Sequence, residues 1–142
     1  MLINRRTMRI EWGDCDPGGI VYFPRYFEYF DICTRALFER AGFSKRDLMN
    51  LYGIGGIPMV NVEARFMAPS RFGEDVVVES SVAKWGNSSF VVQHRLMRGD
   101  VLAAECFETR VWVAYRAGDA ENFEARPIPP EVKHRFTAAA VE

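Results

Sequence analysis

The chain has 142 residues, with 18 Lys plus Arg against 19 Asp plus Glu and a formal net charge of −1. Hydrophobic residues make up 49% and aromatics 13%, which suits one globular domain over 1–142 and excludes a disordered chain. The near-neutral balance speaks against nucleic acid as a partner, because a phosphate backbone needs a basic surface.

No apolar run approaches the roughly 20 residues that cross a bilayer. Met1-Leu2-Ile3 leads into Asn4-Arg5-Arg6 rather than into the apolar core of a leader. Cys15, Cys33 and Cys106 are widely spaced, form no CxxC pattern, and read as free thiols of a reducing compartment. The expectation is a cytoplasmic protein with no membrane partner.

In chain order, residues 7–12 alternate and predict a first strand. GDCDPGG (13–19) follows as a turn-rich segment. From Pro24 to Ala41 the period becomes helical. Phe23, Phe27, Phe30, Thr34, Leu37 and Ala41 recur at spacings of three and four, a broad apolar stripe. Pro24 suits a first helical turn and Gly42 the position past the end. SKRDLMN (44–50) predicts a short helix capped by Ser44.

Beyond the glycines at 53, 55 and 56 the chain is strand-like. Strands are predicted at 58–67, 75–85, 88–98 and 101–116, with turns at Gly73-Glu74, Gly86-Asn87 and Gly99-Asp100. RPIPPEV (126–132) ends the run, and 130–139 predicts a short terminal helix. One strand, a long helix and four successive strands make an α+β arrangement. The helix stripe is wider and more aromatic than a surface helix needs, so the predicted solution is a curved antiparallel sheet wrapped around one long central helix.

The stretch that carries chemistry is WGDCDPGGIVYFPRY (12–26). Asp14 and Asp16 precede a helix start whose first N–H groups have no intrahelical acceptor. An isolated Asp in that setting is usually a cap. Asp16, however, lies seven residues ahead of Phe23 across Gly18-Gly19, which places it poorly for capping this helix. The alternative is catalytic: the free N–H groups hold a carbonyl oxygen as it gains charge, and Asp16 acts as nucleophile or general base.

Residues 8–41 resemble the opening of the 4-hydroxybenzoyl-CoA thioesterase family of hotdog proteins, whose pattern close to DxDxxGhVxxxxY is met by Asp14, Asp16, Gly19, Val21 and Tyr26. The similarity extends through 53–79 and 84–96. The resemblance implies a hotdog fold and hydrolysis of an acyl-CoA thioester with an aromatic or medium-sized acyl group. It implies Asp16 as the catalytic carboxylate and the backbone N–H of Phe23 as the carbonyl-polarising group. Gly19, Tyr22, Tyr26, Ile57, Pro58 and Met59 are the implied substrate-binding residues. Phe23 stands where many relatives carry His and others Tyr, so any polar contact from this position comes from its backbone. It also implies a homodimer joined edge to edge, assembling to a homotetramer, with CoA thioester as substrate and no cofactor or metal.

Other candidates have blander readings. His94 in a strand and His134 in the tail make no metal site, and His94 reads as a structural or interface residue rather than a general base. Asp31 has Arg35 four residues on and reads as a surface ion pair. Asn61 and Glu63 share a face with Met59 and read as a solvated or interface face. Ser88-Ser89 lacks a GxSxG context, and GIGG (53–56) lacks the GK[ST] of a P-loop. Because the turn at 86–89 is GNSS, the CoA phosphates are left to Lys84, Arg65, Arg71 or Arg126. Two rival functions stand beside hydrolysis: a hotdog hydratase or dehydratase, and a non-catalytic acyl-CoA-binding module.

Overall fold

The computed structural model describes residues 1–116 and 119–137. Its elements are β1 (Asn4–Arg9), a 3-10 turn (Trp12–Asp14), α1 (Phe23–Arg40), α2 (Lys45–Tyr52), β2 (Ile54–Gly56), β3 (Met59–Phe66), β4 (Asp75–Trp85), β5 (Ser89–Arg98), β6 (Val101–Val111), β7 (Val113–Arg116), β8 (Asp119–Ala125) and α3 (Pro130–Thr137). A five-stranded antiparallel sheet runs in the order β1-β4-β5-β6-β3, and β2-β7-β8 form a smaller one.

Helix α1 forms where the sequence predicts it, and its stripe is the reason. Tyr26, Tyr29, Phe30, Cys33, Thr34, Leu37 and Phe38 are all buried. At roughly 1.5–3 kcal/mol for each large apolar side chain removed from water, this helix is core material. Its first half packs with Val76, Val78, Leu96 and Ala104, inward residues of β4, β5 and β6. Its second half packs with Val82, Phe90, Val92 and Trp112, and Phe38 meets Phe136 of α3 with ring centroids 4.8 Å apart. A curved sheet around one central helix is the hotdog architecture.

The first strand, the last long strand and the small sheet differ from expectation. The first strand is Asn4–Arg9 rather than 7–12, because residues 11–14 close a small turn in which the Glu11 N–H donates to the Asp14 carboxylate. The strand expected over 101–116 breaks at Trp112, whose N–H leaves the ladder for the Ser88 carbonyl at 2.7 Å while its ring enters the core. The chain passes there from the large sheet to the small one. Strands β2 and β8 were not predicted: one is three residues rich in glycine, the other is DAENFEA, which lacks the β-branched residues that mark strands. The terminal helix is Pro130–Thr137, and the last two positions of its expected span, 138–139, lie outside the described residues.

The two edges of the large sheet are unlike. β1 carries Arg5 and Arg9, paired across to Glu79 and Asp75, and charge on an edge discourages further pairing. β3 is exposed along nearly its whole length and presents Met59, Val60, Val62 and Phe66, with Val60 at 62%.

Candidate active site

The segment from Asp14 to Tyr22 is pinned by backbone hydrogen bonds on both sides. The Tyr22 N–H donates to the Asp14 carbonyl (2.8 Å), Val21 to Ser70 (2.9 Å), and Phe72 to Gly19 (3.1 Å). Within it the Asp16 N–H donates to the Ile20 carbonyl and the Gly19 N–H to the Asp16 carbonyl, each at 2.9 Å. The Gly18 N–H holds the Asp16 Oδ1 at 2.8 Å. Asp16 is half-buried, and its Oδ2 has no hydrogen bond among the described residues. One carboxylate oxygen is thus fixed and the other is free.

Gly19 makes this loop possible, since its φ of +80° lies in the left-handed region that costs an L side chain roughly 1–2 kcal/mol. A Cβ there would meet open space, so the penalty is conformational alone. Gly19→Ala is expected to lower Tm by a few degrees through that backbone penalty. Thermal unfolding of the variant beside the wild type checks this.

The helix end that follows is open. Tyr22 is the cap residue and contributes no side-chain hydrogen bond, and Pro24 has no N–H. The Arg25 N–H turns back to the Tyr22 carbonyl. The Phe23 N–H is left at the positive end of the helix with no acceptor among the described residues, and the Phe23 ring is 61% exposed. Tyr22 is exposed as well. Tyr26 is buried, with its ring 4.9 Å from that of Phe66 and 6.1 Å from that of Tyr29; its contacts in one chain are packing contacts.

A second group of expected residues lies elsewhere. Ile57 and Pro58 line a cavity of about 360 Å³ together with Thr34, Phe38, Ile54 and Arg110. Asp16, Gly19, Tyr22, Phe23 and Tyr26 are not among its lining residues, nor is Met59, which starts the exposed β3. Asp31, on the wall of this cavity, lies eight residues beyond Phe23 on α1, roughly 12 Å along the axis at 1.5 Å per residue. One chain therefore does not bring the two groups together. Part of the cavity wall comes from the small sheet: Phe123 lines it and stacks on Tyr115 at 4.7 Å. A Cβ on Gly55 would lie 2.8 Å from the Tyr115 ring.

Beneath the cavity lies a buried polar network that sequence reasoning missed. Glu108, 1% exposed, accepts hydrogen bonds from Thr34 Oγ1, His94 Nε2 (3.1 Å), Arg110 Nε (3.1 Å to Oε1) and Arg110 Nη2 (3.2 Å to Oε2). His94 Nδ1 lies 2.7 Å from the Ser80 hydroxyl, and Phe30 stacks on the imidazole at 5.1 Å. Burial alone would push the Glu108 carboxyl up, but hydrogen bonds and charge from His94 and Arg110 overcome it and hold the group down at about 2. Asp31 does pair with Arg35, at 3.8 Å, but its closer partner is Arg110 at 2.8 Å.

The thiols do not compete as nucleophiles. Burial pushes Cys33 and Cys106 up to about 12, and Cys15 is raised by burial and by the charges of Asp14 and Asp16. Among the described residues no His, Cys, Asp and Glu cluster has the makings of a metal site, and no helix is long and apolar enough to cross a membrane.

The model of the thioesterase-like superfamily matches residues 10–136. The chain belongs to that superfamily. It is 34% identical over 129 residues to the 4-hydroxybenzoyl-CoA thioesterase of Pseudomonas sp. strain CBS-3, covering 87% of this chain and 89% of the relative. A solved 4-hydroxybenzoyl-CoA thioesterase variant complexed with 4-hydroxybenzoyl-CoA superposes with a TM-score of 0.87 at 28% identity, over 95% of this chain and 99% of the other. A gentisyl-coenzyme A thioesterase does so at 0.79 and 27%, over 92% and 99%. This member of the superfamily is a thioester hydrolase.

Proposed function

We propose that the chain hydrolyses the thioester of an aromatic acyl-CoA, with Asp16 as the catalytic carboxylate and the Phe23 N–H as the group that polarises the carbonyl. The observation that carries this reading is a carboxylate with one oxygen fixed and one free, shortly before an uncapped helix start. The thioester oxygen accepts from the Phe23 N–H, where a positive helix end stabilises the charge that develops on attack. Asp16 then follows one of two routes. As nucleophile it adds to the carbonyl carbon, expels CoA thiolate and leaves a mixed anhydride that water cleaves. As general base it takes a proton from the water that attacks the same carbon, and the tetrahedral adduct collapses to the acid as CoA thiolate leaves. The apolar cavity suits the acyl group, and the relatives' named substrates are aromatic acyl-CoA thioesters. For the CoA phosphates, Arg126 is paired with Glu124, whereas Lys84, Arg65 and Arg71 make no ion pair among the described residues.

The separation of the two groups within one chain supports a site shared between protomers. β3 runs with its Phe66 end against Tyr26 and Phe27 near the start of α1, and with its Met59 end opposite Arg110 beside the cavity. Two bare β3 edges paired antiparallel about a two-fold axis put the Met59 end of each beside the Phe66 end of the other. The Asp16 half of one protomer then meets the Ile57-Pro58-Met59 half of its partner. A homodimer of this kind, paired again, gives the expected homotetramer.

Free-thiol release from benzoyl-CoA tests the reaction, because hydrolysis liberates CoA thiol whereas hydration or simple binding does not. The shared site is tested by mixing two inactive variants, Asp16→Asn and Ile57→Trp, after exchange of protomers. Random reassociation restores one intact site in each heterodimer and about a quarter of wild-type activity. No recovery in a mixture proven to contain heterodimers rules out the shared site.

A further inference from the structure

The buried network beneath the cavity is not used by the proposed reaction, yet one of its members reaches the cavity from inside. Arg110 directs its donors at three separate elements. Nε and Nη2 reach Glu108 on its own strand, Nη2 also reaches the Asp31 carboxylate on α1 at 2.8 Å, and Nη1 reaches the Ile57 carbonyl at 3.1 Å. Its side chain is 7% exposed. Taking a guanidinium and a carboxylate out of water is costly, and apolar residues of similar volume commonly serve stability as well. A buried Glu108–Arg110 pair in the inward face of β6 therefore asks for a reason beyond stability.

The partners of Arg110 supply one. The Ile57-Pro58 segment lies between the end of β2 and the start of β3, and Pro58 has no N–H to tie into a ladder. Its backbone has two long-range anchors: the Val111 N–H on the Pro58 carbonyl (3.1 Å) and Arg110 on the Ile57 carbonyl. Asp31 is 51% exposed and its pairing with Arg35 is long, so Arg110 is what fixes that carboxylate at the cavity wall. Arg110 is itself held in register by Glu108, which Thr34 and His94 hold in turn.

We propose that Arg110 is a positioning residue for acyl selection: with Glu108 behind it, it fixes the Ile57 carbonyl and the Asp31 carboxylate and so sets the shape of the acyl cavity. The inference rests on the reading of that cavity as the acyl pocket. A lysine keeps the charge but not the planar fork that spans three acceptors.

The test compares kcat/KM for benzoyl-CoA with kcat/KM for hexanoyl-CoA in the full-length protein. This ratio cancels the concentration of active enzyme, so partial unfolding leaves it unmoved. In Arg110→Lys the ratio is expected to fall by about tenfold or more, mainly through a higher KM for benzoyl-CoA. Glu108→Gln, which leaves the cavity lining intact, is expected to shift it the same way by about threefold. A ratio unchanged in both variants overturns the proposal. So does the loss of all folded protein in both, which makes the network purely structural. A wild-type protein that releases no thiol from any acyl-CoA, or an Asp16→Asn variant with full activity, is a different result: it removes the functional reading and this inference with it.

Discussion

Asp16→Asn is expected to lower kcat for benzoyl-CoA by on the order of 10³-fold or more while leaving the unfolding transition in place. The amide keeps an oxygen at Oδ1 to accept from the Gly18 N–H at 2.8 Å, so the loop keeps its bond. What it loses is the negative charge and the basicity of the free oxygen, on which both proposed routes depend. Neither the buried thiols nor Phe23, which has no polar side-chain atom, offers a replacement. The measurement is single-turnover thiol release, with circular dichroism as the control for folding. Activity within tenfold of wild type in a folded variant defeats the assignment.

Glu108→Ala is expected to destabilise the fold strongly. It leaves Arg110 with only the half-exposed Asp31 carboxylate and the Ile57 carbonyl, and removes the acceptor that Thr34 and His94 share, leaving those two with each other and with Ser80. Breaking a buried pair by removing one partner costs about 3–5 kcal/mol, and the lost volume adds a cavity term. Denaturant unfolding reads this as a lower midpoint at unchanged slope. The same group gives the wild type a pH signature. Its carboxyl falls from the ordinary 4.5 to about 2 on folding, so the stability it contributes is fully present above pH 4.5. That contribution declines as pH drops through the interval down to about 2 and is gone below it. Its size is on the order of 3 kcal/mol, at about 1.4 kcal/mol for each unit of the shift. Glu108→Gln should flatten the stability profile across that interval; an equally steep decline in the variant assigns the acid lability to other carboxylates.

The central helix was legible in the sequence because bulky residues at three- and four-residue spacing admit few other structures. The setting of Asp16, in a glycine loop before an open helix start, was legible because these residues lie beside one another in the chain. The strands of the large sheet could be read to within a few residues from valine density and turn glycines. The sequence was silent on Trp112, since the strand breaks there through a hydrogen bond to Ser88, 24 positions away. The separation of Asp16 from the Ile57-Pro58 cavity was equally out of reach, because it depends on which ends of α1 and β3 lie together.

The polar network was within reach and was missed. In β6 the inward positions run Ala104, Cys106, Glu108, Arg110, and in β5 they run Phe90, Val92, His94, Leu96. Strict alternation places all three polar side chains on the apolar face. Charged residues at that parity on two neighbouring strands are a signal of mutual pairing, because either alone would be too costly to bury.

The contact between Gly55 and the Tyr115 ring has a consequence for how acyl preference can drift. The ring lies where a methyl carbon would have to go, and the Phe123 stacked on it forms one wall of the cavity. A single added carbon at position 55 would have to displace the Tyr115 ring and the Phe123 wall stacked on it, changing the shape of the chamber. On the proposed reading of that cavity as the acyl pocket, its shape thereby depends on a position assigned no part in bond breaking.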